Sequence, residues 1–293
     1  MKVAIYGQTY QDNALEYVIE LLEELEKVGA QPYFEAEFHK LLNASRKLPL
    51  YPTFTHSAGL DNSFDMFVSF GGDGTILRAI TYVRELDIPI VGVNTGRLGF
   101  LSTFKKEDVR KVVLEFMSGA YTIVERSLVE VSSDAPIPEF GEVNFALNEI
   151  TVSRKDTTSM ITVVTHLNNE YLTSYWADGL IVSTPTGSTG YSLSCGGPVI
   201  APSAKSLVLT PIAPHNLNAR PLVVSDDTEI RLKVSGREEF HLLSLDSRIA
   251  TLKCGREISV RKANFTIKMI EYTSESFLKT LRNKLLWGED RRN

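Results

Sequence analysis

The chain has 293 residues, of which 43% are hydrophobic and 23% charged, as is usual for a folded globular protein. Its 31 basic and 36 acidic residues give a net charge of −5, which argues against general binding of nucleic acid or an anionic membrane. Two cysteines form neither a disulfide framework nor a zinc cluster and fit a reducing compartment. The amino terminus reads directly into a strand, without a signal peptide's apolar run, and no segment approaches the roughly 18 apolar residues of a membrane span. We therefore expect a cytoplasmic protein with no membrane partner.

Strands and helices alternate along the first third of the chain. Asp12 is a candidate cap for a first helix that runs to about Val28 and stops at Gly29. The predicted strands are 3–6, 67–70 and 88–93, and the later predicted helices are 75–86 and the segment from Val109 to Phe116, closed by Gly119. This alternation indicates parallel strands joined by helical crossovers.

The pattern changes near residue 121, where β-branched runs and short turns replace helices. Asn168 and Asn169 have the composition of a hairpin turn between two of these strands. After Ser274 a helical pattern returns, with Phe277, Leu278, Leu281 and Leu285 on one face and Gly288 at its end. The segment from residue 121 to about 272 is therefore either an all-β domain or a β-rich extension. A lone helix cannot bury its own apolar face, so we expect the C-terminal helix to pack back on the first, α/β domain.

The sharpest local motif is the run from Gly71 to Thr75 (Gly-Gly-Asp-Gly-Thr), between an apolar strand and a helix. Glycines let a backbone approach a ligand closely, and the following helix N-terminus presents free amides that suit a phosphate. Beside phosphate oxygens an aspartate is costly unless it has a task, and taking a proton from an attacking hydroxyl is such a task. The alternative is a tight turn in which Asp73 caps the helix.

A longer motif runs from Ala177 to Pro198 and contains Thr-Pro-Thr-Gly-Ser-Thr-Gly-Tyr after an apolar strand. Its small hydroxyl residues, glycines and Tyr191 are suited to a nucleotide cradle, with the ring against a base. The alternative is a polar surface loop or a flexible linker. Asn148 and Glu149 open another strand, and an amide with a carboxylate can hold two vicinal ribose hydroxyls.

Several common signatures do not occur in the sequence. It contains no Gly-x4-Gly-Lys-Ser/Thr loop and no Gly-x-Gly-x-x-Gly after the first strand. It also lacks a Gly-x-Ser-x-Gly elbow and a His-Glu-x-x-His helix. The five histidines are scattered, so we predict no protein metal site.

Together these motifs resemble the NAD kinase family. The Gly-Gly-Asp-Gly run, the segment from Val93 to Leu101 (Val-Asn-Thr-Gly-Arg-Leu-Gly-Phe-Leu), Asn-Glu and the Thr-Pro-Thr-Gly-Ser-Thr run occur in that order. The first motif is shared with diacylglycerol, sphingosine and phosphofructokinase-type enzymes, whereas the last is more specific. The resemblance implies a fold like that of NAD kinase and diacylglycerol kinase. In this fold an α/β nucleotide-binding domain, residues 1–120 and 273–293, has a parallel sheet and is completed by the C-terminal helix. An all-β, NAD-binding domain, residues 121–272, is inserted into it.

The resemblance also implies the reaction and its residues. ATP with Mg²⁺ or another divalent cation would phosphorylate the 2′-hydroxyl of the adenosine ribose of NAD, giving NADP and ADP in a homodimer or homotetramer. Asp73 matches the catalytic aspartate. The implied substrate-binding residues are Gly71, Gly72, Gly74, Arg78, Phe100, Asn148, Glu149, Asp178, Thr189, Gly190, Tyr191, Ser192, Leu193 and Ser194. Of these, Asn148 and Glu149 match the adenosine contacts, and Asp178 matches the contact to the other end of NAD.

Three positions depart from the family pattern, and two other functions stay open. Gly190 stands where alanine is more common, Trp176 where a smaller or basic residue is expected, and Arg248 where a neutral side chain is common. These departures leave open the pocket details and the choice of ATP or polyphosphate as donor, and the sequence does not decide between NAD and NADH as acceptor. The alternatives to an NAD kinase are a lipid kinase of the diacylglycerol type and a non-catalytic NAD-sensing module.

Overall fold

The computed structural model describes residues 1–8, 14–96, 99–102, 104–156, 159–272 and 276–286. Asp12, Arg97, Leu98, Ser274 and Gly288, which the sequence motifs include, lie outside these ranges. The strands in chain order are β1 (Lys2–Gly7), β2 (Gln31–Glu35), β3 (Thr53–Phe54), β4 (Met66–Phe70), β5 (Ile90–Asn94), β6 (Phe104–Lys105), β7 (Tyr121–Ser133), β8 (Phe145–Ala146), β9 (Glu149–Arg154), β10 (Ile161–Leu167), β11 (Glu170–Ala177), β12 (Gly179–Ser183), β13 (Ser206–Ile212), β14 (Leu222–Ser225), β15 (Ile230–Gly236), β16 (Phe240–Leu245), β17 (Arg248–Lys253) and β18 (Glu257–Tyr272). The helices are α1 (Ala14–Lys27), α2 (Ala36–Ser45), α3 (Asp73–Val83), α4 (Val109–Ser118), α5 (Tyr191–Ser194) and α6 (Phe277–Leu285), with 3₁₀ turns at Lys106–Asp108 and Thr186–Thr189.

The chain folds into two compact units, Met1–Glu125 with Ile267–Asn293 and Arg126–Thr266, called here the α/β unit and the β unit. Of the helices that the structure describes, none combines the length and the apolar character that a membrane-spanning helix needs.

The α/β unit is built on a parallel sheet, as the strand–helix alternation predicts. Its strand order runs β3-β2-β1-β4-β5, and the end of β18 joins β5 through Met269 opposite Ile90. Both β4 and β5 are buried along their whole length, as expected for central parallel strands covered on both faces. The unpredicted segment 31–54 adds β2, α2 and β3 to this sheet.

The helices of this unit differ in detail from the prediction. α3 begins at Asp73, two residues before the predicted start, and ends at Val83. α4 ends at Gly119, whose left-handed φ of 71° makes it the C-cap that the sequence predicts. The predicted apolar face of α6 is only partly buried. Leu281 is buried and Phe277 is partly exposed, whereas Leu278 and Leu285 are 62% and 39% exposed.

The β unit consists of antiparallel sheets, which confirms the predicted β-rich domain. One sheet has the order β14-β13-β12-β9-β16-β17, and β10 pairs with β11 and β15 in another. Asn168 and Asn169 turn between β10 and β11 with φ values of 48° and 72°, as the predicted hairpin turn requires. Strands of both sheets contribute to a single apolar core, represented by Val152, Val163 and Leu209.

A buried histidine in this core predicts a loss of stability in acid. His241 on β16 is 1% exposed, its Nδ1 lies 3.8 Å from the Cys254 sulfur, and its Nε2 has no partner among the described residues. Burial lowers the pKa of His241 from 6.5 to about 4. The unfolded chain therefore binds the proton first, and stability present above pH 6.5 is lost as the pH falls toward 4.

We expect this loss to reach up to about 3 kcal/mol between these two pH values. Urea unfolding of the wild type and of His241→Gln at a series of pH values measures it. In the glutamine variant, stability should change less over the same pH interval. His166→Gln, at a partly exposed position on β10, is the matched control and should follow the wild type. An equally steep acid loss in His241→Gln would contradict the assignment.

Candidate active site

The predicted site residues form one cluster in each unit. In the α/β unit, β4 and β5 pair in parallel with Phe70 opposite Val93. The segments that follow them therefore begin side by side, at the carboxyl edge of the sheet where ligands of open α/β folds bind. The Gly71 amide donates to the Val93 carbonyl at 2.9 Å and joins the two segments at their start.

Asp73 links these two segments through its carboxylate. Oδ2 accepts from the Phe100 amide at 2.7 Å. Oδ1 accepts from the amides of Leu101 and Ser102, both at 3.1 Å, and from the Ser102 hydroxyl at 3.2 Å. The carboxylate does not cap α3, because the cap position is Gly72 and no side-chain cap bond is formed there. Four donors thus hold the carboxylate in place, while Oδ2, with one hydrogen bond, keeps acceptor capacity for another group.

The glycines around Asp73 have two different roles. A Cβ built on Gly99 would lie 1.8 Å from Asp73 Oδ1, so only glycine lets the carboxylate reach the amides beyond it. By contrast, Gly72 and Gly74 are exposed, and a Cβ on either would meet no described atom within 4 Å. The backbone on both sides of Asp73 is therefore open to a ligand.

Two further predicted residues belong to this cluster. Phe100 is partly buried and takes part through its main-chain amide. Arg78 is exposed on α3 and donates to the side-chain oxygen of Gln8 at 2.9 and 2.7 Å, in the amide orientation that satisfies both groups. Its guanidinium therefore lies above the carboxyl end of β1, where it carries a positive charge.

In the β unit, three strand ends meet at the second cluster. Ser183 at the end of β12 pairs with Glu149 at the start of β9. Leu245 at the end of β16 pairs with Ile150 on the other side of β9. The segment after β12, the pair Asn148 and Glu149, and the turn after β16 are therefore neighbours.

The segment from Thr184 to Ser194 is a compact structure whose hydroxyl groups serve the fold. Thr184 Oγ1 donates to the Leu147 carbonyl at 2.6 Å, and Ser188 Oγ donates to the Pro185 carbonyl at 2.6 Å. The hydroxyl of Ser192, a residue with 0% exposure, lies 2.8 Å from that of Thr210. The alternative of a surface loop or flexible linker is therefore wrong.

The exposed surface of this segment comes from a few of the predicted residues. Tyr191 is 47% exposed, Ser194 is exposed, and Thr189, Gly190 and Leu193 are partly exposed. The surface that this segment offers a ligand is therefore one aromatic ring with main-chain and small groups around it.

Glu149 carries a buried carboxyl oxygen in this cluster. Its Oε2 has no hydrogen-bond partner within the described part of the chain. Burial first, and the nearby charge of Asp246 second, raise the pKa of Glu149 from 4.5 to about 8. Near neutral pH the group is therefore largely a neutral acid, which can donate a hydrogen bond as well as accept one.

The remaining predicted residue, Asp178, forms an ion pair. Its Oδ2 lies 2.9 Å from the Arg154 guanidinium, and both side chains are partly exposed. Two residues earlier, Trp176 is 50% exposed and its ring centroid lies 5.3 Å from that of His215.

Comparisons with known proteins identify the family of the chain. The family model for the ATP-NAD kinase N-terminal domain matches residues 3–121, and that for the ATP-NAD kinase C-terminal domain matches residues 147–272. The chain belongs to the NAD kinase family. This confirms the resemblance and the fold that its motifs imply. The NAD kinase of Christiangramia forsetii is 57% identical over 296 residues, covering 100% of both chains.

Two solved structures of NAD(H) kinases have the same fold. Yeast NADH kinase complexed with NADH has a TM-score of 0.85 at 25% identity, covering 99% of this chain and 88% of that one. An NAD kinase from Archaeoglobus fulgidus in complex with ATP has a TM-score of 0.75 at 25% identity, covering 98% and 99%.

Two of the three departures from the NAD kinase pattern have clear structural surroundings. Arg248 donates to the carbonyls of Val143 and Phe145, and its guanidinium lies 5.9 Å from the Phe145 ring centroid. A Cβ on Gly190 would lie 3.2 Å from Glu149 Oε2 and 3.4 Å from Asn148 Nδ2, a contact that small shifts relieve.

Proposed function

We propose that this member of the NAD kinase family transfers the γ-phosphoryl group of ATP to the 2′-hydroxyl of the adenosine ribose of NAD. The 2′ oxygen forms a bond to the γ phosphorus, the bond from that phosphorus to the β–γ bridging oxygen breaks, and the products are NADP and ADP. Relatives across the full length carry the name NAD kinase, and solved relatives are described with ATP and with NADH. Phosphoryl transfer of this kind depends mainly on alignment and charge neutralisation.

At the level of residues, the proposal rests on one observation, which is that hydrogen bonds hold the Asp73 carboxylate in a fixed position. Four donors hold it between two exposed glycines, and Oδ2 keeps acceptor capacity. In our proposal this oxygen takes the proton of the 2′-hydroxyl. A base held in this way loses no hydrogen bonds when it accepts the proton, because three donors stay on Oδ1 and the Phe100 amide can still donate to the second lone pair of Oδ2.

The other predicted residues bind the two substrates. Gly72 and Gly74 present amides to phosphates at the start of α3, Gly71 lies beside the phosphates with its own amide held by the Val93 carbonyl, and Arg78 adds a positive charge. Phe100 contacts the substrate through its ring.

In the β unit, Asn148 and Glu149 bind the adenosine part of NAD, and Asp178 binds its other end. The segment from Thr189 to Ser194 surrounds the adenine, with Tyr191 against its face. Residues 1–120 with 273–293 thus act as the nucleotide-binding domain and residues 121–272 as the NAD-binding domain.

We infer three further properties. Mg²⁺ enters with ATP as part of the donor substrate, since this ion is commonly held by substrate phosphates and water. The protein works in the cytoplasm, where its two free thiols stay reduced. It assembles as a homodimer or homotetramer, as the family resemblance implies.

A direct assay tests the proposal. The purified chain is incubated with NAD, ATP and Mg²⁺, and NADP is measured with an NADP-specific dehydrogenase. We expect NADP to accumulate only when NAD, ATP and Mg²⁺ are all present. In parallel reactions, NADH or diacylglycerol replaces NAD to determine the acceptor, and polyphosphate replaces ATP to determine the donor. NAD binding by calorimetry without NADP formation would support the NAD-sensing alternative and overturn the proposal.

A further inference from the structure

Asp246 clamps the segment that carries the Asn148–Glu149 pair. It lies in the turn between β16 and β17 with a left-handed φ of 51°. Its main-chain amide donates to the Glu149 carbonyl at 3.0 Å. Its carboxylate accepts from three consecutive amides, those of Leu147 at 2.9 Å, Asn148 at 2.8 Å and Glu149 at 3.2 Å. Hydrogen bonds from this one residue therefore hold in place the backbone of the segment that leads into β9.

We propose that Asp246 is a positioning residue for NAD, acting through Asn148 and Glu149. The inference rests on the proposed function, because it assumes that this pair binds the adenosine part of the dinucleotide. Three consecutive amides converge on this one carboxylate, so the chain is bent at Leu147 and Asn148 and becomes a strand only at Glu149. The conformation of this bend sets the directions of the Asn148 and Glu149 side chains, and the carboxylate that holds all three amides fixes that conformation. Hydrogen bonds from amides to an ionised carboxylate are among the stronger hydrogen bonds in proteins.

The charges around Glu149 support the same assignment. Asp246 faces it from the turn after β16, the main-chain amide and the phenol of Tyr191 face it from α5, and the thiol of Cys195 faces it from the residue that follows α5. Asp246 adds to the effect of burial in raising the pKa of Glu149. Burial also raises the pKa of Asp246, but three amides and Arg248 on β17 favour its ionised form. The proton of the pair therefore stays on Glu149.

This arrangement makes NAD binding depend on pH. Below about pH 8 the neutral carboxyl group of Glu149, a partly exposed residue, can donate a hydrogen bond to an acceptor on the ligand. As the pH rises through that value, the donor is lost and a buried negative charge appears. We therefore expect the affinity for NAD to decline on the alkaline side.

The decisive variant is Asp246→Asn. Asparagine tolerates the left-handed φ and keeps one acceptor oxygen, but it removes the charge and sets an NH₂ group against an amide donor. We expect KM for NAD to rise about tenfold with kcat within about threefold, as loss of a bond to a charged acceptor predicts. The midpoint of the alkaline decline should also move to lower pH. Asp227→Asn removes an exposed charge elsewhere in the β unit and should leave both values unchanged.

Carbon-13 NMR of the Glu149 carboxyl in the ligand-free protein gives a readout that needs no activity. The pKa of Glu149 should fall in Asp246→Asn. A Glu149→Gln variant, which has no proton to lose, identifies the signal and should abolish the alkaline decline. An unchanged pKa of Glu149 together with a wild-type KM would overturn the inference. Absence of NADP formation by the wild type would instead count against the proposed function.

A second substitution keeps the test decisive if Asp246→Asn does not fold. Asp246→Glu retains the charge and the acceptor oxygens but displaces them by one methylene group. It should raise KM for NAD while the alkaline midpoint stays near the wild-type value. A wild-type KM in this variant would overturn the positioning role.

Discussion

Replacing Asp73 with asparagine is expected to lower kcat for NADP formation by about 10²–10⁴-fold, the range that a positioned base contributes. The amide oxygen can still accept from the Leu101 and Ser102 amides in place of Oδ1. The amide nitrogen replaces Oδ2 and cannot take the proton of the 2′-hydroxyl. Affinity for NAD should stay within a few-fold of the wild-type value. Steady-state kinetics and calorimetry with NAD measure the two effects separately.

Two neighbouring substitutions separate loss of the base from movement of the loop. Ser102→Ala removes one of four donors and leaves the carboxylate in place, so kcat should stay within about threefold. Gly99→Ala keeps the carboxylate but builds a Cβ 1.8 Å from Oδ1, so the acid must move and kcat should fall strongly. An Asp73→Asn enzyme with more than about a tenth of the wild-type kcat would contradict the assignment of Asp73 as the base.

Local chemistry accounts for the parts of the fold that the sequence predicts well. Alternating apolar strands and helices predict the parallel sheet, because each buried strand and each helix stop has its own signal. Gly119 and the Asn168–Asn169 pair adopt positive φ values, which few other residue types tolerate. The segment 31–54 was not predicted, because β2 contains Pro32 between polar ends and shows no apolar run, β3 has only two residues, and α2 follows β2 without a turn.

The contacts that define the site have no such local signal. The donors to Asp73 are 27 to 29 residues away along the chain, and the amides held by Asp246 are 97 to 99 residues away. These partners meet only because neighbouring strands end at the same edge of a sheet. Sequence therefore indicates Asp73 as a candidate base but not what holds it. In the sequence, Asp246 is one acidic residue in a strand-rich region, and only the tertiary structure reveals the three amides that donate to it.

The hydroxyl-rich segment after β12 shows the same limit in another form. Composition alone fits equally a cradle that offers hydroxyl groups to a ligand and a segment that uses them internally. In the structure, Thr184, Ser188 and Ser192 bond to neighbouring protein groups. Within this segment, Gly187 lets the 3₁₀ turn pack directly against the backbone of Asn148, and that close approach leads to a strong steric prediction.

Gly187→Ala is expected to destabilise the β unit by about 3 kcal/mol and to lower NAD affinity by more than about 100-fold. A Cβ on Gly187 would lie 2.1 Å from the carbonyl oxygen of Asn148 and 2.6 Å from its Cα. These are backbone atoms, so relief requires moving the segment that presents Asn148 and Glu149. The backbone of Gly187 does not have a positive φ, and the effect is therefore steric.

Gly190→Ala is the matched control, because it adds the same methyl group three residues later. Its nearest contacts are 3.2 and 3.4 Å away and include the side chains of Glu149 and Asn148, which can yield. We expect its stability to stay within about 1 kcal/mol of the wild type and its NAD affinity within a few-fold. Urea unfolding and calorimetry distinguish the two variants. Equal stability of both would mean that the turn is not packed on the Asn148 backbone, and the β-unit cluster would lose its structural basis.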